Sequence, residues 1–351
     1  MKIFSAIFGY LFFLNCFAQD PPRVYVAHKA SENIDIDGRA DEKDWKEALW
    51  TADFIDIEGQ KIPKYKTNVK MLWDEKYFYV YAKMEEPHIW ATLKQRDTVI
   101  FYNNDFEVFI DPDGDAQKYM EFEMNALNTV WDLMLVEAYR EGGNAIDSWN
   151  IVGVKSAVNI EGTLNNSGDI DEYWEVEIAM PWSVLTEAGN SSKTPVNDFW
   201  RVNFSRVNWD HHISKGRYSR KKAEDGNFLP EYNWVWSPQG VINMHEPEHW
   251  GYVYFSDNNP SKNFTFSLPK DEHIRWKMYE LYRAQKKYFE KHQKWARSIE
   301  KIELEPISIL GAPVHPEIEI HSAGYNIVIE SPFTGIKYLI NNNGKFIQLS
   351  N

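Results

Sequence analysis

Residues 101–131 concentrate the side chains best suited to chemistry: Phe101, Tyr102, Glu107, Asp111, Asp113, Asp115, Glu121, Glu123 and Asn125. Carboxylates and amides at this density can hold the hydroxyls of a sugar, coordinate a hard cation, or simply solvate a surface. Paired carboxylates on neighbouring strands can also act as acid and nucleophile of a glycosidase, which Glu107 with Glu123, or Glu121 with Asp132, could supply. A second set, Asp210, His211, His212, His245 and His249, offers donors to a transition metal. Pro247 lies between His245 and His249, so they are not the helical pair of zinc hydrolases. Met180 and the Met244-His245 pair could ligate a haem, but no pattern joins them.

Period-two alternation sets the elements that must carry these residues. Phe106, Val108 and Ile110 alternate with Glu107 and Phe109, which predicts a strand. Asp111-Pro112-Asp113-Gly114-Asp115 is turn chemistry, since proline presets φ and glycine tolerates a positive one. The returning strand, from about residue 119 to 125, puts Glu121 and Glu123 on one face and Met120, Phe122 and Met124 on the other. Further alternating runs cover residues 67–73, 77–84, 149–158, 173–178, 200–207 and 252–256. Asp41 is placed to cap a short helix that buries Trp45, Ala48 and Leu49. A second short helix follows Met180-Pro181-Trp182, and residues 210–231 read as a long surface loop. Many short strands without βαβ alternation or internal repeat predict a mainly β fold, an antiparallel β-sandwich of jelly-roll or immunoglobulin-like type over residues 19–256. Residues 257–271 read as a linker and 272–304 as an amphipathic helix with Ile274, Met278, Leu281 and Tyr282 on one face. Residues 305–351 read as a small β meander, with Asn342-Asn343-Gly344 as a hairpin turn.

The 351-residue chain has a net charge of −14 and no basic stripe, which excludes nucleic acid and anionic membrane surfaces as partners. Aromatic residues make up 15% of it, with 15 Trp, and suit a ligand that stacks on ring faces as sugars do. The first residues form a secretory leader: Lys2, an apolar run from Ile3 to Phe13, and Cys16-Phe17-Ala18 before a cleavage point at Gln19. Residues 1–18 are thus expected to be removed and the mature protein to be secreted or periplasmic, with no membrane span. Lipidation of Cys16 is the weaker alternative, since Leu14-Asn15 fits that motif poorly. Cys16 is the single cysteine, so cleavage leaves no thiol for disulfides, nucleophilic catalysis or metal ligation.

The ordered series VKMLWDEKYFYVYAKM, NNDFEVFIDPDGD, FEMNALN, YWEVEIAMPW and VWSPQG…HEPEHWGYVYF resembles the family 9 carbohydrate-binding modules over roughly residues 30–256. The resemblance implies a β-sandwich that clamps the end of a glucan or xylan chain between two rings. Phe101 or Tyr102 stands at the first ring position and Trp236 at the second. Glu107 and Asn125 stand where family members face the ligand. Glu123 departs from the pattern, because related modules have an arginine there; Arg206 on the neighbouring strand is the candidate to replace it. The family also binds structural calcium, for which Asp111, Asp113 and Asp115 are the candidates. The expectation is non-catalytic binding of a glucan- or xylan-like poly- or oligosaccharide outside the cytoplasm, in polysaccharide capture or degradation. Two alternatives stand beside it: a hydrolase of O-glycosyl bonds, and a structural module without a ligand. In the latter, residues 272–351 would support assembly with other cell-envelope proteins.

Overall fold

The computed structural model describes residues 21–349 except 263, 304 and 305. The expected leader, with Cys16 and its cleavage point, lies outside the described residues. In order, the first half comprises β1 (Val24–Lys29), α1 (Lys43–Glu47), β2 (Ile55–Asp56), β3 (Thr67–Trp73), β4 (Tyr77–Glu85), β5 (Asp105–Asp111), β6 (Gln117–Asn125) and β7 (Val130–Glu137). Next come β8 (Ala145–Ile146), β9 (Lys155–Glu161), β10 (Tyr173–Pro181), α2 (Trp182–Leu185), β11 (Phe199–Asn208), β12 (His211–Ser214), β13 (Arg217–Arg220), β14 (Tyr232–Val235) and β15 (Gly251–Ser256). The chain closes with α3 (Glu272–His292), β16 (Ser308–Ile309), β17 (Ala312–Pro313), β18 (Glu317–His321), β19 (Gly324–Glu330), β20 (Lys337–Asn341) and β21 (Phe346–Gln348).

One continuous sheet runs β8-β7-β6-β5-β11-β15-β1-β3-β4-β10-β9, with β14 and β2 added beside β11. It folds over on itself, so the inward residues of β5, β6 and β11 (Phe106, Val108, Phe122, Phe204) share one core with those of β3, β4 and β10 (Met71, Val80, Trp174, Ile178). The expected sandwich is therefore present, but it is not purely antiparallel: β1 pairs in parallel with both β15 and β3. The hairpin β5–β6 falls where alternation predicted it, with Glu107 opposite Glu123 and Val108 opposite Phe122.

Four local differences from the expected elements have physical causes. Glu42, not Asp41, is the residue before α1, and its side chain makes no capping bond. Trp45 in that helix and Ala48 just after it are buried, but the helix is short and Leu49 turns outward, 78% exposed. Within residues 210–231, β12 and β13 form a hairpin because Lys215 and Gly216 both take positive φ, as a tight hairpin turn requires. Finally, α3 stops at His292 rather than continuing to 304, closed by Gln293 in the left-handed region.

The apolar stripe of α3 (Ile274, Met278, Leu281, Tyr282) packs on the antiparallel sheet β18–β21 through Tyr325, Ile327 and Ile340. The same helix docks on the sandwich. The Trp276 indole donates to the Tyr252 hydroxyl at 2.9 Å, and that hydroxyl donates to Glu272 at 2.7 Å. No described helix is long and apolar enough to cross a membrane.

Candidate functional site

The outward face of β5, β6 and β7 is unusual for a sheet surface because its carboxylates are buried. Alternation sends Asp105, Glu107, Glu121 and Glu123 to this face, and they are 0%, 5%, 5% and 1% exposed. Cross-strand pairing sets them side by side: Glu123 lies between Glu107 and Trp131, and Glu121 between Phe109 and Leu133. The segments leading into β14 and β15 rise beside the face and close a cavity of about 470 Å³. Phe101, Glu107, Glu121, Glu123, Trp131 and Tyr139 line one side of it, and Glu231, Asn233, Met244 and His245 the other.

Burial is the main force on these carboxyls. It raises Glu107 from 4.5 to about 7. Burial, then the charge of neighbouring carboxylates, pushes Asp105, Glu121 and Glu123 well above the usual carboxylate range. Burial also lowers His245 to about 4, so at neutral pH its ring is uncharged, with Nδ1 3.1 Å from the Tyr119 hydroxyl. Two polar groups here lack partners. Among the described residues, neither Asp105 oxygen has a hydrogen bond of normal geometry, and the Trp131 indole N–H is buried with no acceptor. The Val207 amide is the group that counters the burial of Asp105.

Of the residues singled out from sequence, Phe101 and Glu107 meet in this cavity. Glu123 joins them with a structural duty: Oε2 accepts the Phe101 amide at 3.0 Å and so fixes the turn that presents that ring. Tyr102 is 46% exposed and lies outside the cavity lining; its ring meets Phe101 edge-on (65°) and stacks under Arg220 at 4.4 Å. Asn125 is fully buried and spent on its own turn. It donates to the Leu93 carbonyl at 2.9 Å and accepts from the Leu127 and Thr129 amides at 3.0 and 3.1 Å.

Arg206 lies on the other face of β11, opposite Phe106, where alternation sends even-numbered residues. There it donates to Glu86 at 2.9 Å and stacks over Trp234 at 5.1 Å, so it does not take the place of the missing arginine. Trp236 is 1% exposed and tilts against Phe204 at 5.8 Å. Its edge borders a different cavity, of about 850 Å³, between β1 and residues 47–52. Phe101 and Trp236 are thus not opposite walls of one clamp. That larger groove has exposed Leu49 and Trp50 but no set of buried convergent polar groups.

The carboxylates of Asp111, Asp113 and Asp115 come within 4.8 Å of one another, an all-oxygen set able to hold a hard cation. Asp111 accepts from the Gly114 and Ala116 amides at 3.0 and 2.9 Å, while Asp113 keeps one buried oxygen unpartnered. The turn is also a docking point. Lys345 pairs with Asp115 at 3.2 Å, and Arg275 of α3 donates to the Gly114 carbonyl.

The other expected constellations separate. Asp132 points to the opposite face from Glu121 and pairs with Arg96. His249 sits in an ion network with Glu246 and Arg283, and His211 packs on His88. Met180 is buried in the sandwich core, away from the cavity that Met244 and His245 line. Sequence reasoning missed Trp131 and Tyr139. Trp131 could have been found by continuing the alternation one strand further, since it pairs directly with Glu123.

Residues 36–198 match the family model described as carbohydrate family 9 binding domain-like. Similar solved structures include a family 9 carbohydrate-binding module from Caldicellulosiruptor kristjanssonii in complex with cellotriose. It is 14% identical, with a TM-score of 0.43, covering 70% of this chain and 100% of that one. The module's glucose complex is 15% identical, with a TM-score of 0.45 and the same coverage. A Bacteroides uniformis protein proposed to bind carbohydrate is 16% identical, with a TM-score of 0.49, covering 67% of this chain and 99% of that one. The sequence matches no curated protein.

Proposed function

We propose that the chain, whose residues 36–198 match the family model described as carbohydrate family 9 binding domain-like, binds a carbohydrate chain outside the cytoplasm without cleaving it. The ligand site is the cavity over β5, β6 and β7. The observation that carries this reading is the convergence there of ring faces with polar groups. Phe101, Trp131 and Tyr139 offer apolar surface, while Glu107, Glu121, Glu123 and the unpartnered Trp131 N–H offer hydrogen bonds. A pyranose needs that combination, because it has two C–H faces and a rim of hydroxyls. At about 470 Å³ the cavity falls in the size range of small-ligand sites.

The carboxylate geometry supports binding over hydrolysis. Glu107 and Glu123 stand side by side on adjacent strands, so both meet the same side of a bound ring. A glycosidase needs its two carboxyls to flank the scissile bond. Glu121 and Asp132 point to opposite faces of the sheet and cannot share a substrate.

A glucan- or xylan-like ligand follows from the family premise, and export from the apolar leader with its Cys16-Phe17-Ala18 cleavage motif. Asp111, Asp113 and Asp115 fit a structural calcium ion, whose charge would complete the neutralisation begun by Lys345 and Arg275. Titration of tryptophan fluorescence with glucan, xylan and mannan oligomers tests the proposal. A saturable change, with the oligomer recovered intact, is expected. No change with any oligomer, with or without calcium, would sink it.

A further inference from the structure

We infer that Asp105, Glu107 and Glu123 form a second, separate site for a hard divalent cation, set into the floor of the cavity. Their ligand oxygens all lie within 4.8 Å of one another. Among the described residues none of the three is in an ion pair, and Arg206, the nearest cation along β11, is on the other face of the sheet. The independent observation is Asp105 itself. It is completely buried, and among the described residues neither carboxylate oxygen makes a hydrogen bond of normal geometry, the Val207 amide being the one group that counters its burial. A buried carboxylate without a partner is costly, and a shared cation removes that cost for three groups at once.

The donor set selects the class of ion. It is all carboxylate, with no sulfur, and the nearby His245 ring has its Nδ1 engaged by Tyr119. That favours Ca²⁺, Mg²⁺ or Mn²⁺ over zinc or copper. An organic ammonium would satisfy the same charge but not the same depth. Asp105 has no exposed surface and does not line the cavity, so a ring-bearing amine cannot reach it, whereas a bare ion can. The site is independent of the carbohydrate reading. If both hold, the ion would lie beside the sugar site, because Glu107 and Glu123 line that cavity as well.

Calcium titration calorimetry on chelator-stripped full chain tests this, with terbium luminescence sensitised by Trp131 as a second readout. The Asp113→Asn variant serves as background, so that the acidic turn cannot contribute. One site per chain is expected to remain, and Asp105→Asn or Glu123→Gln should weaken it by about tenfold or more. The metal-free variants should melt no lower than their parent, because each replaces a buried carboxyl, whose charged form burial disfavours, by a neutral amide of the same shape. If Asp105→Asn does not fold, Glu107→Gln reads the same site. An unchanged isotherm in these variants, or no uptake of Ca²⁺, Mg²⁺ or Mn²⁺ in the Asp113→Asn background, overturns the inference. Cation uptake without any oligosaccharide response upholds it and removes the carbohydrate reading instead.

Discussion

Trp131 and Glu123 face each other across β6 and β7, and the proposed sugar site takes a ring from one and a rim carboxyl from the other. Trp131→Ala should leave the fold intact, because the ring is only half-buried, and should weaken oligosaccharide binding about tenfold or more, as loss of a stacked ring implies. Calorimetric titration checks this. A second prediction concerns protons. Glu107 holds its proton in the metal-free folded state up to about pH 7, whereas the unfolded chain releases it near 4.5. The folded state therefore binds more protons in that window, and stability falls as pH rises from 4.5 to 7. The contribution is on the order of 3 kcal/mol, and Glu107→Gln should flatten it in melts of chelated protein. Phe101 and Glu107, which the sequence puts forward as binding residues, both line the cavity. Asn125 was not readable as fully spent, since its contacts with Leu127 and Thr129 are a local turn but those with Leu93 and Asn103 come from residues that only folding brings beside it.

Alternation decided most of what could be read at the level of strands, and ignoring it explains the main misplacement. Arg206 occupies the same face of β11 as Phe204, the inward one, so it could never reach Glu123. Its role is to neutralise Glu86, which also accepts from Asn104 and Asn208 at 3.0 and 2.8 Å. Arg206→Leu should cost about 3–5 kcal/mol, measured by denaturant unfolding, while leaving oligosaccharide affinity near that of the parent. Trp236 was misread for a different reason. An aromatic in a Trp-Ser-Pro stretch is equally suited to a ligand face or a core, and the deciding contact lies with a distant glycine. A Cβ on Gly251 would sit 2.4 Å from the Trp236 ring and 2.9 Å from the Arg23 carbonyl. Gly251→Ala should therefore destabilise strongly, and a variant that melts like the parent would contradict the packing described.

The sandwich and the C-terminal unit of α3 with its small sheet are held together by charge as well as by apolar contact. Arg283 of α3 reaches Glu246 and Glu248 at 3.0 and 2.5 Å, and Lys286 reaches Glu141 at 2.5 Å. Burial alone would raise Glu248, but Arg140 and Arg283 outweigh it and hold the carboxyl down at about 2. Its stabilisation is thus present above the ordinary 4.5 and is lost as pH falls from 4.5 toward 2. Arg283→Ala should weaken docking by about 2 kcal/mol and speed proteolysis between residues 257 and 271 at neutral pH. The helix and meander were visible in sequence from their periods. Their seat on the acidic turn and on residues 246–248 was not, because long-range ion pairs leave no periodic trace. Carbohydrate binding as proposed depends on one cavity, and titration of the full chain with gluco- and xylo-oligosaccharides, parent against Trp131→Ala and Trp236→Phe, tests it most directly. Saturable binding of an oligomer recovered uncut is expected, lost in Trp131→Ala and kept in Trp236→Phe. Binding that survives Trp131→Ala but disappears in a folded Trp236→Phe, or release of reducing ends, would contradict it.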